Sequence, residues 1–211
     1  ARLEAANALL REEGEVKKRL LAAQTNQALF EQLDWDMERR ITSLANLIET
    51  LPEAERPGNL TAYITLCLCH IKRRCNLFFL ARQGELLPGD ELGMYLDELA
   101  ELGRYVGLKT LIRCGEMNGL SIRGAALCYD FAFESMSWTL REEASPLMGY
   151  LEIEGTQLVF RFLPGGDPGR WQFSRELMAA VSALGGEIVC KDLDDAYGIC
   201  LTVPLGGESC G

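Results

Sequence analysis

The chain has one histidine, His70, set in Cys67-Leu68-Cys69-His70-Ile71-Lys72-Arg73-Arg74-Cys75. Thiols, an imidazole and cations this close together suggest zinc ligation, thiol redox sensing or phosphotransfer through the ring. Helical spacing opposes a metal. Cys67 and His70 share a face at i,i+3, but Cys69 is turned about 100° and Cys75 about 140° from His70, so one chain offers two ligands and no metal site is expected. For phosphotransfer, His70 lies one step from Ile71 at the border of an apolar stripe, and no carboxylate neighbours it in sequence to activate it. It reads as a surface or boundary histidine. Lys72-Arg73-Arg74 reads as a solvated helix face, or as a contact for an acidic partner.

These residues belong to a 211-residue chain, 48% hydrophobic and 25% charged, with 21 Lys+Arg against 31 Asp+Glu and a net charge of −10. That composition supports a proper core and excludes disorder for most of the chain. An acidic surface repels phosphate backbones and anionic lipid, so neither nucleic acid nor a membrane surface is an expected partner. No apolar run approaches the ~20 residues of a membrane helix. The chain opens on Ala1 without a signal-peptide pattern and is read as an excised portion of something longer. Eight cysteines, scattered through apolar segments, suit free thiols in a reducing cytoplasm better than a disulfide scaffold. Cys190 and Cys200 alone are placed to face each other across a hairpin.

The elements that must position these groups begin with a proline-free stretch, Leu3 to Leu51. In it an apolar residue recurs every seventh place: Leu9, Val16, Ala23, Phe30, Met37, Leu44 and Leu51. Leu20, Leu33, Ile41 and Ile48 fill in beside this seam, predicting a coiled coil that broadens into a bundle. Pro52, Pro57 and Gly58 break the helix. Leu60, Ile64, Leu68, Ile71, Cys75 and Phe78 then restore the helical period to about Arg82. A hairpin apolar on one stripe leaves that stripe wet unless two hairpins pair as a four-helix bundle, so a homodimer is expected.

Beyond Leu87-Pro88-Gly89-Asp90 the pattern predicts a helix over 91–105, a strand over 108–114 and a helix over 121–143. Strands over 147–153 and 158–163 flank the turn Glu154-Gly155-Thr156. A helix over 173–184 and a hairpin of 187–193 with 197–203 close the chain. The fold class is α+β: coiled coil over 1–30, helical hairpin over 31–86, and over 87–211 a sandwich of one mostly antiparallel sheet covered by helices on one face.

This organisation resembles the cytoplasmic part of a sensor histidine kinase. Trp35-Asp36-Met37-Glu38-Arg39-Arg40-Ile41-Thr42-Ser43-Leu44 is similar to the family's dimerisation-helix motif, His-Asp followed by a basic residue and a Leu-x-x-Leu stripe. Phe133-Glu134-Ser135-Met136-Ser137-Trp138-Thr139-Leu140 resembles the Glu-x-x-x-Asn helix of the GHKL-type ATP-binding domain. Leu184-Gly185-Gly186-Glu187-Ile188, ending in Leu201-Thr202-Val203-Pro204-Leu205, resembles the closing segment.

The resemblance implies ATP and magnesium as cofactors, but each chemical position departs from the family's pattern. Trp35 stands where the phosphoacceptor histidine would be, and an indole has no ring-nitrogen lone pair with which to attack phosphate. Asp36 keeps the accessory acid with nothing beside it to orient. Trp138 replaces the magnesium-binding Asn and offers no oxygen to a hard cation. Glu134 keeps its type. The Asp-x-Gly-x-Gly loop is replaced by Leu163-Pro164-Gly165-Gly166-Asp167-Pro168-Gly169, in which Asp167 and Gly169 match late and between prolines.

The expected function is therefore a dimeric pseudokinase or scaffold with no cofactor, whose partners would be a receiver domain of a response regulator or an active kinase chain. The alternatives are a phosphotransferase or weak kinase through His70, and a thiol redox or metal sensor through Cys67, Cys69 and Cys75.

Overall fold

The stretch without proline forms one α-helix, α1 (Arg2–Thr50), of 49 residues. A 3₁₀ turn, Leu51–Glu53, follows where Pro52 ends the helical ladder. The computed structural model describes residues 2–53, 57–81, 86–142, 146–165, 171–193 and 196–205. The chain divides into two units, Ala1–Asn46 and Leu47–Gly211. In the first, Val16 is 63%, Leu20 58% and Ile41 56% exposed. Among the described residues no helix is long and apolar enough to cross a membrane.

In the second unit, Pro57 opens α2 (Pro57–Ala81) at a position where its missing N–H costs nothing. The helix α3 (Gly89–Tyr105) starts after Pro88, with Asp90 and Glu91 in its first turn facing the helix dipole. The edge strand β1 (Thr110–Cys114) alternates buried and exposed residues. Ser121 caps α4 (Ile122–Arg141), its hydroxyl accepting from the Gly124 N–H. Then come β2 (Leu147–Glu154) and β3 (Gln157–Pro164), joined through Gly155 at φ +62, where a side chain would be strained. After α5 (Arg175–Ala183), Gly185 at φ +66 turns the chain into β4 (Glu187–Leu193), which pairs with β5 (Ala196–Pro204).

The sheet runs β1-β2-β3-β5-β4, antiparallel except for β1 against β2. That one parallel pair needs a crossover, and α4 supplies it. Alternation puts Leu158, Phe160 and Phe162 of β3 and Ile199, Leu201 and Val203 of β5 on the face that joins the core. The α+β architecture and the expected elements are as read from the sequence, to within a few residues at each end.

The helices of this unit share one hydrophobic core. α2 packs on α4 and on α3, so Ala62, Leu66, Cys69 and Leu77 are buried beside Leu92, Leu96, Tyr129 and Met136. The main apolar stripe of α2 is thus covered within its own chain. On its other side, Leu68 and Phe79 are each 52% exposed, and Ile71 and Cys75 are partly so.

The register also corrects one pairing. Cys190 lies opposite Ile199, and Cys200 opposite Val189. Cross-strand partners share a face and neighbours alternate, so the two thiols point to opposite faces of the sheet and cannot be bridged. Both are free.

Candidate functional site

Helix α4 carries Phe131, Glu134 and Trp138 at i, i+3 and i+7, a spacing that puts them on one side. The segment 171–174, leading into α5, covers that side. Trp171 stacks on Trp138 with ring centroids 4.2 Å apart and planes 20° from parallel. Phe173 packs on Phe131 at 5.4 Å. Between them, the Glu134 carboxylate accepts the Ser174 backbone N–H at 2.8 Å through Oε2 and the Ser174 hydroxyl through Oε1. Ser174 Oγ in turn accepts the Leu177 N–H and caps α5. Glu134 is therefore engaged in starting a helix. The motif side of α4 is filled by aromatic rings, and Trp171 Nε1 is buried there without a hydrogen-bond partner among the described residues.

Asp167 and Gly169 lie outside the described residues. The backbone at Trp35 and Asp36 continues α1; their side chains lie outside the described residues.

His70 is not at a boundary. It is 2% exposed, packed between α2 and α4. Its ring stacks on Phe133 at 4.0 Å and on Tyr129 at 5.6 Å, and Nε2 is 2.7 Å from Asp130 Oδ1. The carboxylate missing from its sequence neighbours comes from another helix. A second cation joins it, with Arg74 Nε 3.2 Å from the same Oδ1. An imidazole this enclosed presents almost no surface to a phosphoryl group.

Of the basic run, Lys72 is solvated as expected, its side chain 60% exposed, whereas Arg73 and Arg74 are drawn against neighbouring helices. Arg73 Nε donates to Glu98 Oε2 at 2.5 Å, and its guanidinium lies 4.3 Å from the centroid of the Tyr95 ring. Lys72 Nζ reaches Oε1 of the same glutamate at 3.5 Å. Burial pushes Glu98 up, but Arg73 and then Lys72 outweigh it and hold the carboxyl below its ordinary range. These cations tie α2 to α3 and α4 in their own chain.

Four thiols, Cys69, Cys114, Cys128 and Cys190, sit in surroundings that disfavour thiolate. Burial pushes Cys69 up, Cys114 to about 11, and Cys128 further; Cys190 is raised by the same cause. The Cys69 Sγ lies 3.6 Å from the Tyr129 hydroxyl, whose own acidity burial suppresses. Redox-sensing cysteines need the opposite, a lowered pKa and access. Among the described residues no group of three or more His, Cys, Asp or Glu side chains is placed to hold a metal.

Asp130, Trp171 and Ser174 are the residues that sequence reasoning passed over. Trp171 and Phe173 alternate in a stretch read only as the approach to a helix, and that pair of aromatics was the available signal. Asp130 gave none, because its partners lie about sixty residues away.

No family model and no curated protein matches the sequence. Among solved structures, the chain is similar to the histidine kinase domain of the Erythrobacter litoralis EL346 blue-light activated histidine kinase. The identity is 15%, over 81% of this chain and 93% of that one, with a TM-score of 0.48. It is similar to the Acinetobacter baumannii histidine kinase AdeS at 11% identity over 82% and 98%, TM-score 0.44. The catalytic domain of histidine kinase ThkA matches at 11% over 55% and 91%, TM-score 0.40. These are similarities of backbone arrangement.

Proposed function

We propose that this chain is a signalling module of the histidine-kinase type that transmits conformation without using ATP. One observation carries the reading: the side of α4 that resembles the family's nucleotide-binding helix is occupied by the chain's own Trp171, and Glu134 is committed to Ser174. A nucleotide there would have to displace a stacked aromatic pair and would find an indole in place of a magnesium ligand. The phosphotransferase alternative loses its acceptor to the enclosure of His70. The thiol-sensor alternative is weakened at Cys69, where burial disfavours the thiolate.

The module acts as a homodimer. The exposed apolar residues of α1 and the outer stripe of α2, Leu68 and Phe79, favour a helical bundle with a second copy. Its output is a change in bundle packing read by a receiver domain or by an active kinase chain. Thermal melting with millimolar magnesium-ATP tests the nucleotide claim. A ligand at ~100 times its Kd adds ~2.7 kcal/mol, so no shift in Tm is expected, whereas a reproducible rise abolished in Glu134→Ala would overturn the reading.

A further inference from the structure

The segment that closes the side of α4 is held there by side chains. Residues 171–174 are neither helix nor strand, and among the described residues no backbone–backbone hydrogen bond involves Trp171, Gln172 or Phe173. Three contacts fasten it to α4: Trp171 on Trp138, Phe173 on Phe131, and Ser174 on Glu134. The two rings of the segment also lie against each other, with centroids 5.7 Å apart. What they cover is buried more deeply than they are. Trp138 is 5% exposed and Phe131 fully buried, whereas Trp171, Phe173 and Ser174 are each half-buried.

One fastening is imperfect. Trp171 Nε1 is buried with no acceptor among the described residues, so docking strips its N–H of water and returns no hydrogen bond. That cost is of the same order as the gain from pairing two aromatic rings. Undocking gives the N–H back to water, while the packing of α4 on α2, α3 and β3 needs no change. The same opening reaches α5. Ser174 donates its N–H and hydroxyl to Glu134, and its Oγ accepts the Leu177 N–H, so one residue joins the α4 carboxylate to the first turn of α5. Losing the Glu134 anchor frees Ser174 to leave its capping geometry.

We propose that residues 171–174 form a displaceable plug: Trp171, Phe173 and Ser174 leave α4 together, in an opening far smaller than unfolding, and α5 loses its cap as they go. The inference rests on the reading of this side of α4 as closed by the chain itself. The plug makes that closure reversible and couples it to a second place. A change in packing around Trp138 is registered at the start of α5, and a change at the start of α5 alters access to Trp138.

The test is hydrogen exchange of the 211-residue chain at increasing urea, read at the Trp171 indole N–H and the Ser174 and Leu177 amides. These three should show one protection factor, about 100-fold or more below that of the slowest α4 amides and nearly independent of urea, since the opening exposes little surface. Trp171→Ala should lower the protection of Ser174 and Leu177 about tenfold, the weight of the lost ring pair. A helix end that frays without the segment would keep its protection. From the other end, Glu134→Ala should lower the protection of the Trp171 indole N–H by a similar factor. Circular dichroism checks that both variants fold, and the wild-type measurement stands without them. Unequal protection of the three groups, protection equal to that of α4, or a variant at either end that leaves the other unmoved would each overturn the plug. The magnesium-ATP melt decides the nucleotide reading separately.

Discussion

His70 Nε2 and Asp130 Oδ1 meet at 2.7 Å between two helices, with Arg74 on the same oxygen and the Phe133 ring against the imidazole. Removing Asp130 takes the carboxylate from both basic neighbours at once, one of them an imidazole 2% exposed. Asp130→Ala should therefore destabilise the protein by about 3–5 kcal/mol, the range for breaking a buried pair. His70→Phe keeps the stacking and leaves Asp130 its arginine, and should cost less than about 1.5 kcal/mol. Urea melts of the two variants check the order; a costlier His70→Phe would mean the imidazole, not the carboxylate, organises the cluster.

The Trp138–Trp171 pair gives a second prediction. Trp171→Leu retains apolar bulk but loses the ring pair, worth about 0.5–1.5 kcal/mol beyond area burial. The near-ultraviolet circular dichroism of coupled indoles should disappear with it. A variant with unchanged spectrum and stability would show that segment 171–174 does not hold the side of α4.

Ser174 starts a helix of only nine residues, so its loss should be felt locally. Ser174→Ala should cost about 1 kcal/mol through the missing cap. Hydrogen exchange in α5 should quicken well before that in β3. Uniform acceleration throughout the unit would count against a capping role for the Glu134–Ser174 contact.

Glu98 should make stability depend on pH. Its carboxyl is held below the ordinary range when folded, so its contribution is present above the unfolded pKa and lost as pH falls through the folded one. The difference in Tm between wild type and Glu98→Gln should be full at pH 6 and fade between about pH 5 and pH 3. A difference that grows on acidification would reverse the sign and remove the Arg73 pair as its cause.

Self-association can be separated from folding through Ile41 and Ile48, which are 56% and 49% exposed. Ile41→Asp with Ile48→Asp should leave the circular dichroism unchanged and convert a sedimenting dimer to monomer at tens of micromolar. A wild-type protein that is monomeric there would remove the bundle.

Much of the architecture was legible because it is written locally. The seven-residue seam and absence of proline gave α1, the turn at Gly155 gave the β2–β3 hairpin, and Ser121 marked the start of α4. What stayed hidden depends on partners distant in sequence. The stripe on α2 announces that it will be buried but not that α4 will cover it. His70 looked peripheral because its flank faces Asp130, and Arg73 and Arg74 looked solvated because Glu98 and Asp130 lie on later helices. Glu134 kept its type at a position that resembled a catalytic one, and only the structure showed its oxygens on Ser174.

Helix α4 is enclosed along almost all of its 20 residues, by α2 and α3, by β3 and by α5. Its amides are thereby denied the small local openings through which surface helices exchange, and their exchange must wait for the whole unit to open. The slowest of them serves as a gauge inside the molecule. Its rate reports global stability directly, so a partner bound at any distant face would be registered there without a label placed near the contact.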